Sequence, residues 1–186
     1  MFKTKIKSRY RKNKNARLYQ GDILRDLEFI VGDPRKEVEK SLFQLPFSII
    51  LTQDCDLESD YKSRSNLSQN QDKFLLSLLI CPAFNVQKFS QGEHFPDLQM
   101  ETFNTKEIDK LKKNDKYKRY HFLPGNSYYS LPDLVIDFKH FFTLPREFVY
   151  QHKKEKYLAS LNELFREELS QRFSNYLSRI GLPEIE

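Results

Sequence analysis

The tripeptide Asp54-Cys55-Asp56 is the most unusual local feature of the sequence. Two carboxylates two residues apart follow directly on a β-prone run, Phe47-Ser48-Ile49-Ile50-Leu51-Thr52. If that strand's alternation continues, Asp54 and Asp56 share one face and Cys55 points to the other. Paired carboxylates are hard oxygen ligands, the kind a divalent cation needs for phosphodiester cleavage. On that reading Asp54, Asp56 and Cys55 are the catalytic candidates, with a divalent cation at Asp54/Asp56. The same residues also suit a structural turn, with a carboxylate accepting from backbone N–H groups and Cys55 as a small core residue. A nucleophilic Cys55 needs a nearby base. His121 and His140 are the candidates, but no spacing rule links them to it, and both sit among aromatic residues where a structural role is equally natural.

Phosphate contact is the second chemistry the residue types suggest. Eight of the 31 Lys and Arg lie in residues 1–18, which hold no acid: Lys3, Lys5, Lys7, Arg9, Arg11, Lys12, Lys14 and Arg17. The other 23 face 26 Asp and Glu, so a net charge of +5 becomes −3 over the remainder. A basic arm interleaved with Phe2, Tyr10 and Tyr19 suits RNA or DNA, with affinity falling steeply as salt rises; a solvated tail has the same composition. A second basic cluster contains Lys112, Lys113, Lys118 and Arg119, diluted by Glu107, Asp109 and Asp115. Tyr117, Tyr120, Tyr128 and Tyr129 could stack on bases, or pack within a sheet.

Other classes are excluded by what is missing. The longest apolar run, Leu75–Pro82, is far short of the ~20 residues of a membrane helix. No apolar segment follows the basic N-terminus as a secretory signal requires. Two cysteines without CxxC spacing make neither a disulfide framework nor a zinc site, which leaves a reducing cytoplasm as the default setting. Five glycines form neither GxGxxG nor GxxxxGK[ST].

These residues must be positioned by a small set of elements. Order is expected from Leu18, with residues 1–17 as an arm and residues 18–186 as one domain. Strands are expected over Asp22–Ile30, Phe47–Thr52, Lys73–Cys81 (ended by Pro82), Tyr117–Leu123 and Asp133–Phe142. Residues 58–72 read as a loop. Thr105–Lys113 reads as a short helix with Asn104 and Glu107 in a capping box, and residues 144–148 as a turn or short helix. Leu158, Leu161, Leu164, Phe165, Leu169, Phe173, Tyr176 and Ile180 predict an amphipathic helix over about residues 158–180. Gly181, Leu182 and Pro183 would end it, and Arg166 and Arg172 would lie on its solvated face. Strands first and one long helix last predict an α+β domain, a small β-barrel with a helix packed on it.

Three segments carry a family resemblance. Gln20-Gly21-Asp22-Ile23-Leu24, Pro46-Phe47-Ser48-Ile49-Ile50-Leu51-Thr52-Gln53 and Leu78-Leu79-Ile80-Cys81-Pro82 resemble, in order, the first three strands of the MazF/PemK-like toxins over residues 18–84. That resemblance implies an SH3-like barrel, contact with nucleic acid and, commonly, a dimer. Those toxins place an Arg just before the second strand and a Thr just after the third. Gln44-Leu45 and Ala83-Phe84 stand there in this chain, so that catalytic pair does not carry over. Thr52-Gln53-Asp54-Cys55-Asp56-Leu57 and Arg179-Ile180-Gly181-Leu182-Pro183 also resemble an uncharacterised bacterial family with an SQ-x-CDL strand end and an R-x-GLP finish. The expected function is a bacterial nucleic-acid-binding protein of toxin or phage-defence type. The alternatives are a non-catalytic module working with a partner protein or as a homodimer, and a metal-dependent nuclease centred on Asp54 and Asp56.

Overall fold

Gly21 turns the chain into the first long strand. Its φ is +81°, and an added Cβ would lie 3.0 Å from the Leu161 Cβ, so glycine suits both the conformation and the space. The computed structural model describes residues 8–32, 40–65, 71–95 and 98–178. In chain order these form β1 (Tyr10–Arg11), β2 (Asp22–Gly32), β3 (Lys40–Ile50), α1 (Asp54–Ser63), β4 (Ser77–Asn85), α2 (Val86–Ser90), α3 (Thr105–Lys112), β5 (Tyr120–Leu123), β6 (Leu134–Asp137), β7 (Phe142–Pro145), α4 (Arg146–Lys156), β8 (Tyr157–Leu161) and α5 (Glu163–Leu177). The fold is α+β. One antiparallel sheet of eight strands runs β1-β8-β2-β3-β4-β6-β5, with β7 also pairing β4. Among the described residues no helix is long and apolar enough to cross a membrane.

Side-chain parity divides the core. Ile23, Ile49, Cys81, Ala83, Leu134, Ile136 and Leu161 point to one side, where Leu169, Phe173 and Tyr176 of α5 cover them. Their neighbours Leu24, Ile50, Leu78 and Ile80 point to the other, against Leu57 of α1 and Val149 of α4. Farther along, Phe84, Phe122 and Val135 meet Phe89 of α2 with Ile108 and Leu111 of α3. Because helices cover both faces, the central strands read as nearly continuous apolar runs.

Pro82 lies within β4 and does not end it. Residues Ser77–Ile80 pair with β7 and Ala83–Asn85 with β6, so Cys81 and Pro82 fall where β4 exchanges one partner for the other. A proline without an N–H is tolerated at such a gap in the ladder. The edge of β5 is also closed. Asn114, at φ +57°, donates to Phe122 O at 3.0 Å and accepts from Phe122 N at 2.6 Å. Arg172 donates to the carbonyls of Asn114, Tyr117 and Tyr120.

Strand pairing does not close the sheet among the described residues, since β1 and β5 at its two ends do not pair. A side chain spans the gap instead. The Tyr10 hydroxyl donates to Pro124 O at 2.5 Å, while Tyr10 itself is buried in the core under α5. Tyr10→Phe is expected to cost about 1 kcal/mol, read as a lower urea midpoint at unchanged slope. An unmoved midpoint would show that the bond adds nothing.

Several boundaries differ from expectation for physical reasons. Order begins no later than Ser8, because Tyr10–Arg11 pairs with β8 rather than trailing as a tail. Residues 54–63 form α1, so the alternation of β3 stops and much of the supposed 58–72 loop is helical. The fifth strand splits into β6 and β7 around a 3-10 turn at Phe138–His140 that Asp137 caps by accepting from Lys139 N. Leu158 and Leu161 belong to β8, and the helix begins only at Glu163. The α3 helix has the expected capping box between Asn104 and Glu107. The expected stop at Gly181, Leu182 and Pro183, and the Arg179-to-Pro183 motif, lie outside the described residues.

Candidate functional site

Helix α1 separates the two carboxylates that the sequence had placed together. Two residues of helix turn through about 200°, so Asp54 and Asp56 do not share a face. Asp54 accepts from Arg17 at 2.9 Å, Arg166 at 3.1 Å and the Gln20 backbone N–H at 3.3 Å. Arg17 also bonds to the Asp54 carbonyl at 2.8 Å, which ties the N-terminal segment to α1 and α5. Arg166 is thus a structural partner of Asp54, not part of a solvated face. Asp56 is exposed and borders a cavity of about 380 Å³ with Thr52, Leu79, Phe173 and Ser174. Cys55 is exposed and free, its Sγ 3.7 Å from Asp56 Oδ1; Cys81 is buried and free, bonded to Asp137 O at 3.0 Å. Among the described residues no three of His, Cys, Asp and Glu converge as a metal-ligand set.

The described part of the basic arm is built into the fold. Arg9 stacks on Phe165 at 4.1 Å, and Arg11 and Arg17 stack on Tyr19 at 5.3 and 4.2 Å. Lys12 donates to Leu158 O at 3.0 Å and lies over Tyr157. Lys14 is exposed and has no ion pair among the described residues. Lys3, Lys5 and Lys7 lie outside the described residues. Beneath the arm is a buried network that sequence reasoning missed. Ser160 donates to Asp22 and contacts Tyr157 Oη at 2.8 Å; Asn13 donates to Ser160 at 2.7 Å. Lys153 is buried, donates to the carbonyls of Asn15 and Arg17, and lies 3.9 Å from Asp22. Burial raises the Asp22 carboxyl to about 6 and lowers Lys153 from its ordinary value. Each charge is thus held in a poorly solvated place beside the other.

In the second basic cluster Lys112, Lys113 and Lys118 are exposed, whereas Arg119 is committed. Its guanidinium makes a two-pronged pair with the buried Asp137 at 2.8 and 2.6 Å. His140 Nε2 lies 3.7 Å from Asp137 and 3.4 Å from Arg119, and burial lowers its pKa. Tyr117 and Tyr120 pack on Phe103, while Tyr128 is 85% exposed against the edge of Tyr129.

A larger concavity than the one beside Asp56 lies elsewhere, between the β2–β3 pair and the segment after α2. It is a cavity of about 560 Å³ walled by Phe43, Phe47, Phe84 and Phe95 and edged by Gln44, Asn85 and Lys88. The β2–β3 ladder is interrupted at its rim, where Asp26 takes φ +48° opposite Pro46, which has no N–H to give. His94 also lines it. This ring is 6% exposed, and both its nitrogens are buried without a hydrogen-bond partner. Burial holds its pKa below the ordinary histidine value.

No motif in the sequence marks His94. Its place depends on Gly92 at φ +73°, which turns the chain back after α2 with no room for a Cβ beside Met100 O. That turn seats the imidazole among Phe84, Phe89 and Phe95 at centroid distances of 5.2, 4.6 and 5.4 Å. The chain matches no protein-family model and no curated protein. The chemistry of this cavity, aromatic walls with an unpartnered imidazole and a lysine at the rim, is therefore what the functional reading rests on.

Proposed function

We propose that this chain is a nucleic-acid-binding protein of toxin or phage-defence type that works without the Arg and Thr of the MazF/PemK-like toxins. The observation that carries the reading is the 560 Å³ cavity. Gln44-Leu45 and Ala83-Phe84 stand where the resembled toxins keep that pair, and one residue of each dipeptide, Gln44 and Phe84, lines it. The half-buried rings of Phe43, Phe47 and Phe95 offer faces on which bases stack, and stacking tolerates any base. Lys88 at the rim is exposed and has no ion pair among the described residues, so it is free for a phosphate. Lys14 is exposed and without an ion pair among the described residues, and so is a second candidate phosphate contact. In this reading the curled sheet is an SH3-like barrel whose seam is held by the Tyr10–Pro124 bond in place of strand pairing.

Fluorescence anisotropy with labelled single-stranded RNA and DNA, across a salt series, tests the reading. Affinity is expected to fall as salt rises, and Lys14→Ala and Lys88→Ala should each shallow the log–log slope by about 0.7. Absence of binding at low salt, or an unaltered slope in the double variant, would sink it. Deleting residues 1–17 is not a clean test, because it also removes Tyr10 from the core and Arg17 from Asp54. A module working with a partner protein or as a homodimer is the second reading. It is favoured by Leu76 and Tyr128, which are 86% and 85% exposed. Co-purification of a partner free of nucleic acid would support it.

A further inference from the structure

His94 is not explained by packing. Three phenylalanine rings surround it within 5.4 Å, a site where a fourth phenylalanine would fill the space without burying two unpaired nitrogens. A buried polar atom without a partner costs free energy that a hydrocarbon ring would not. The ring nevertheless borders a cavity of a size that takes one small ligand. An imidazole kept neutral by burial presents one donor and one acceptor, not a cation. The two nitrogens diverge, so one of them, as donor or acceptor, can meet the edge of a heterocycle, while the neutral ring offers no charge to a phosphate. The half-buried Phe43, Phe47 and Phe95 supply apolar faces for a flat ring, and Lys88, beside the carboxylates of Asp26 and Glu93, is the one cation in the lining.

We propose that this cavity is a pocket for one nucleobase, stacked against the phenylalanine walls and read by one ring nitrogen of His94. The proposal rests on the nucleic-acid reading above and makes it specific: His94 is the residue that determines which base is held. The base can arrive within a single strand or as a free nucleotide, and the two sources are separable by experiment.

The test uses the full chain with the imidazole ring followed by nitrogen-15 NMR. The four nucleoside monophosphates and single-stranded homopolymer oligoribonucleotides are titrated in turn. One base is expected to bind at least about tenfold better than the others, the discrimination a good hydrogen-bonded edge supplies, and to move both His94 nitrogen signals. His94→Phe keeps the aromatic filling, so the variant is expected to fold. It should bind the four bases within about twofold of one another by losing that edge contact.

Equal preference in wild type and His94→Phe, or His94 signals that no nucleotide or oligonucleotide moves, would overturn the proposal. If salt-dependent oligonucleotide binding persists in that case, the broader nucleic-acid reading survives without it. If monophosphates move His94 while no oligonucleotide binds, the pocket stands and its ligand is a free nucleotide. Shifts produced by a phenylalanine-bearing peptide and by no nucleotide would overturn it in favour of a protein ligand.

Discussion

Asp60→Ala is expected to lower the melting temperature by on the order of 10 °C, the scale of losing about 3–5 kcal/mol from a chain of this size. The Asp60 carboxylate is wholly buried and joins three parts of the chain. Its Oδ1 accepts from Arg64 at 2.7 Å and from the Leu75 N–H at 2.9 Å, and its Oδ2 from Arg146 at 2.6 Å. Arg64 reaches on to Leu75 O at 2.7 Å, and Arg146 stacks on Tyr150 at 3.8 Å. Truncating Asp60 leaves the guanidinium groups of Arg64 and Arg146 beside each other with only the exposed Glu147, at 3.4 and 3.6 Å, as their anion. The damage would therefore exceed the net worth of the ion pairs. Glu58→Ala is the control. Glu58 pairs with Lys62 at 2.5 Å on the exposed side of the same helix, where the pair is screened and its loss should leave the melting temperature unchanged. Calorimetry of both variants decides the matter: equal, small shifts would show that the buried triad is not a clasp.

The second large effect is a dependence of stability on pH that resides in one core histidine. His121 lies on β5 with both nitrogens buried and unpartnered, and burial, with Arg172 and Arg9 nearby, pushes its pKa down to about 3. The unfolded chain takes a proton on this ring near the ordinary 6.5, while the folded chain does so only near 3. Below pH 6.5 the unfolded state therefore binds a proton that the folded state refuses, and stability falls as the pH drops towards 3. The loss from this group alone is about 2 kcal/mol by pH 5. Asp22 acts in the opposite direction. With its folded pKa raised to about 6, it favours the folded state in acid and loses that contribution as the pH rises from 3.8 through 6. The two partly cancel in the wild type, so the clean measurement is the difference between wild type and His121→Leu. Urea unfolding of both, from pH 7.5 down to pH 5, should show the variant gaining on the wild type by that amount. A pH-independent difference would remove His121 from the account.

Much of the secondary structure was legible where the residues themselves impose it. Asn104 and Glu107 close a capping box because their spacing matches the first turn of a helix. Leu169, Phe173 and Tyr176 recur at helical intervals and do cover the core. Alternation also carries real information: His121 and Leu123 share one parity and Tyr120 and Phe122 the other, and they divide between two faces of the sheet. Legibility failed at Asp54-Cys55-Asp56. A β-rich run was extended by one reading frame into residues whose carboxylates suit the first turn of a helix, where they meet its exposed N–H groups. It failed again at Leu158–Leu161, where apolar residues at helical spacing form the strand β8, paired on both sides by β1 and β2. Short apolar runs fit either period, and the pairing partner chooses between them.

The sequence by itself determined an α+β chain with a basic N-terminus, a mildly acidic remainder and apolar strands suited to a sheet buried on both faces. These follow from composition and local periodicity, which act over a few residues. Only the tertiary structure decided what the charges and histidines do. Arg17 meets Asp54 across 37 positions, Arg146 meets Asp60 across 86, and Ser160 meets Asp22 across 138. These contacts turn residues that read as arm, loop and solvated face into clasps of the fold. The same long-range closure, by bringing α2 and Gly92 against β3 and β4, leaves His94 alone among phenylalanine rings at a cavity. Neither spacing nor composition encodes that position, because the groups that define it come together only when the sheet is complete.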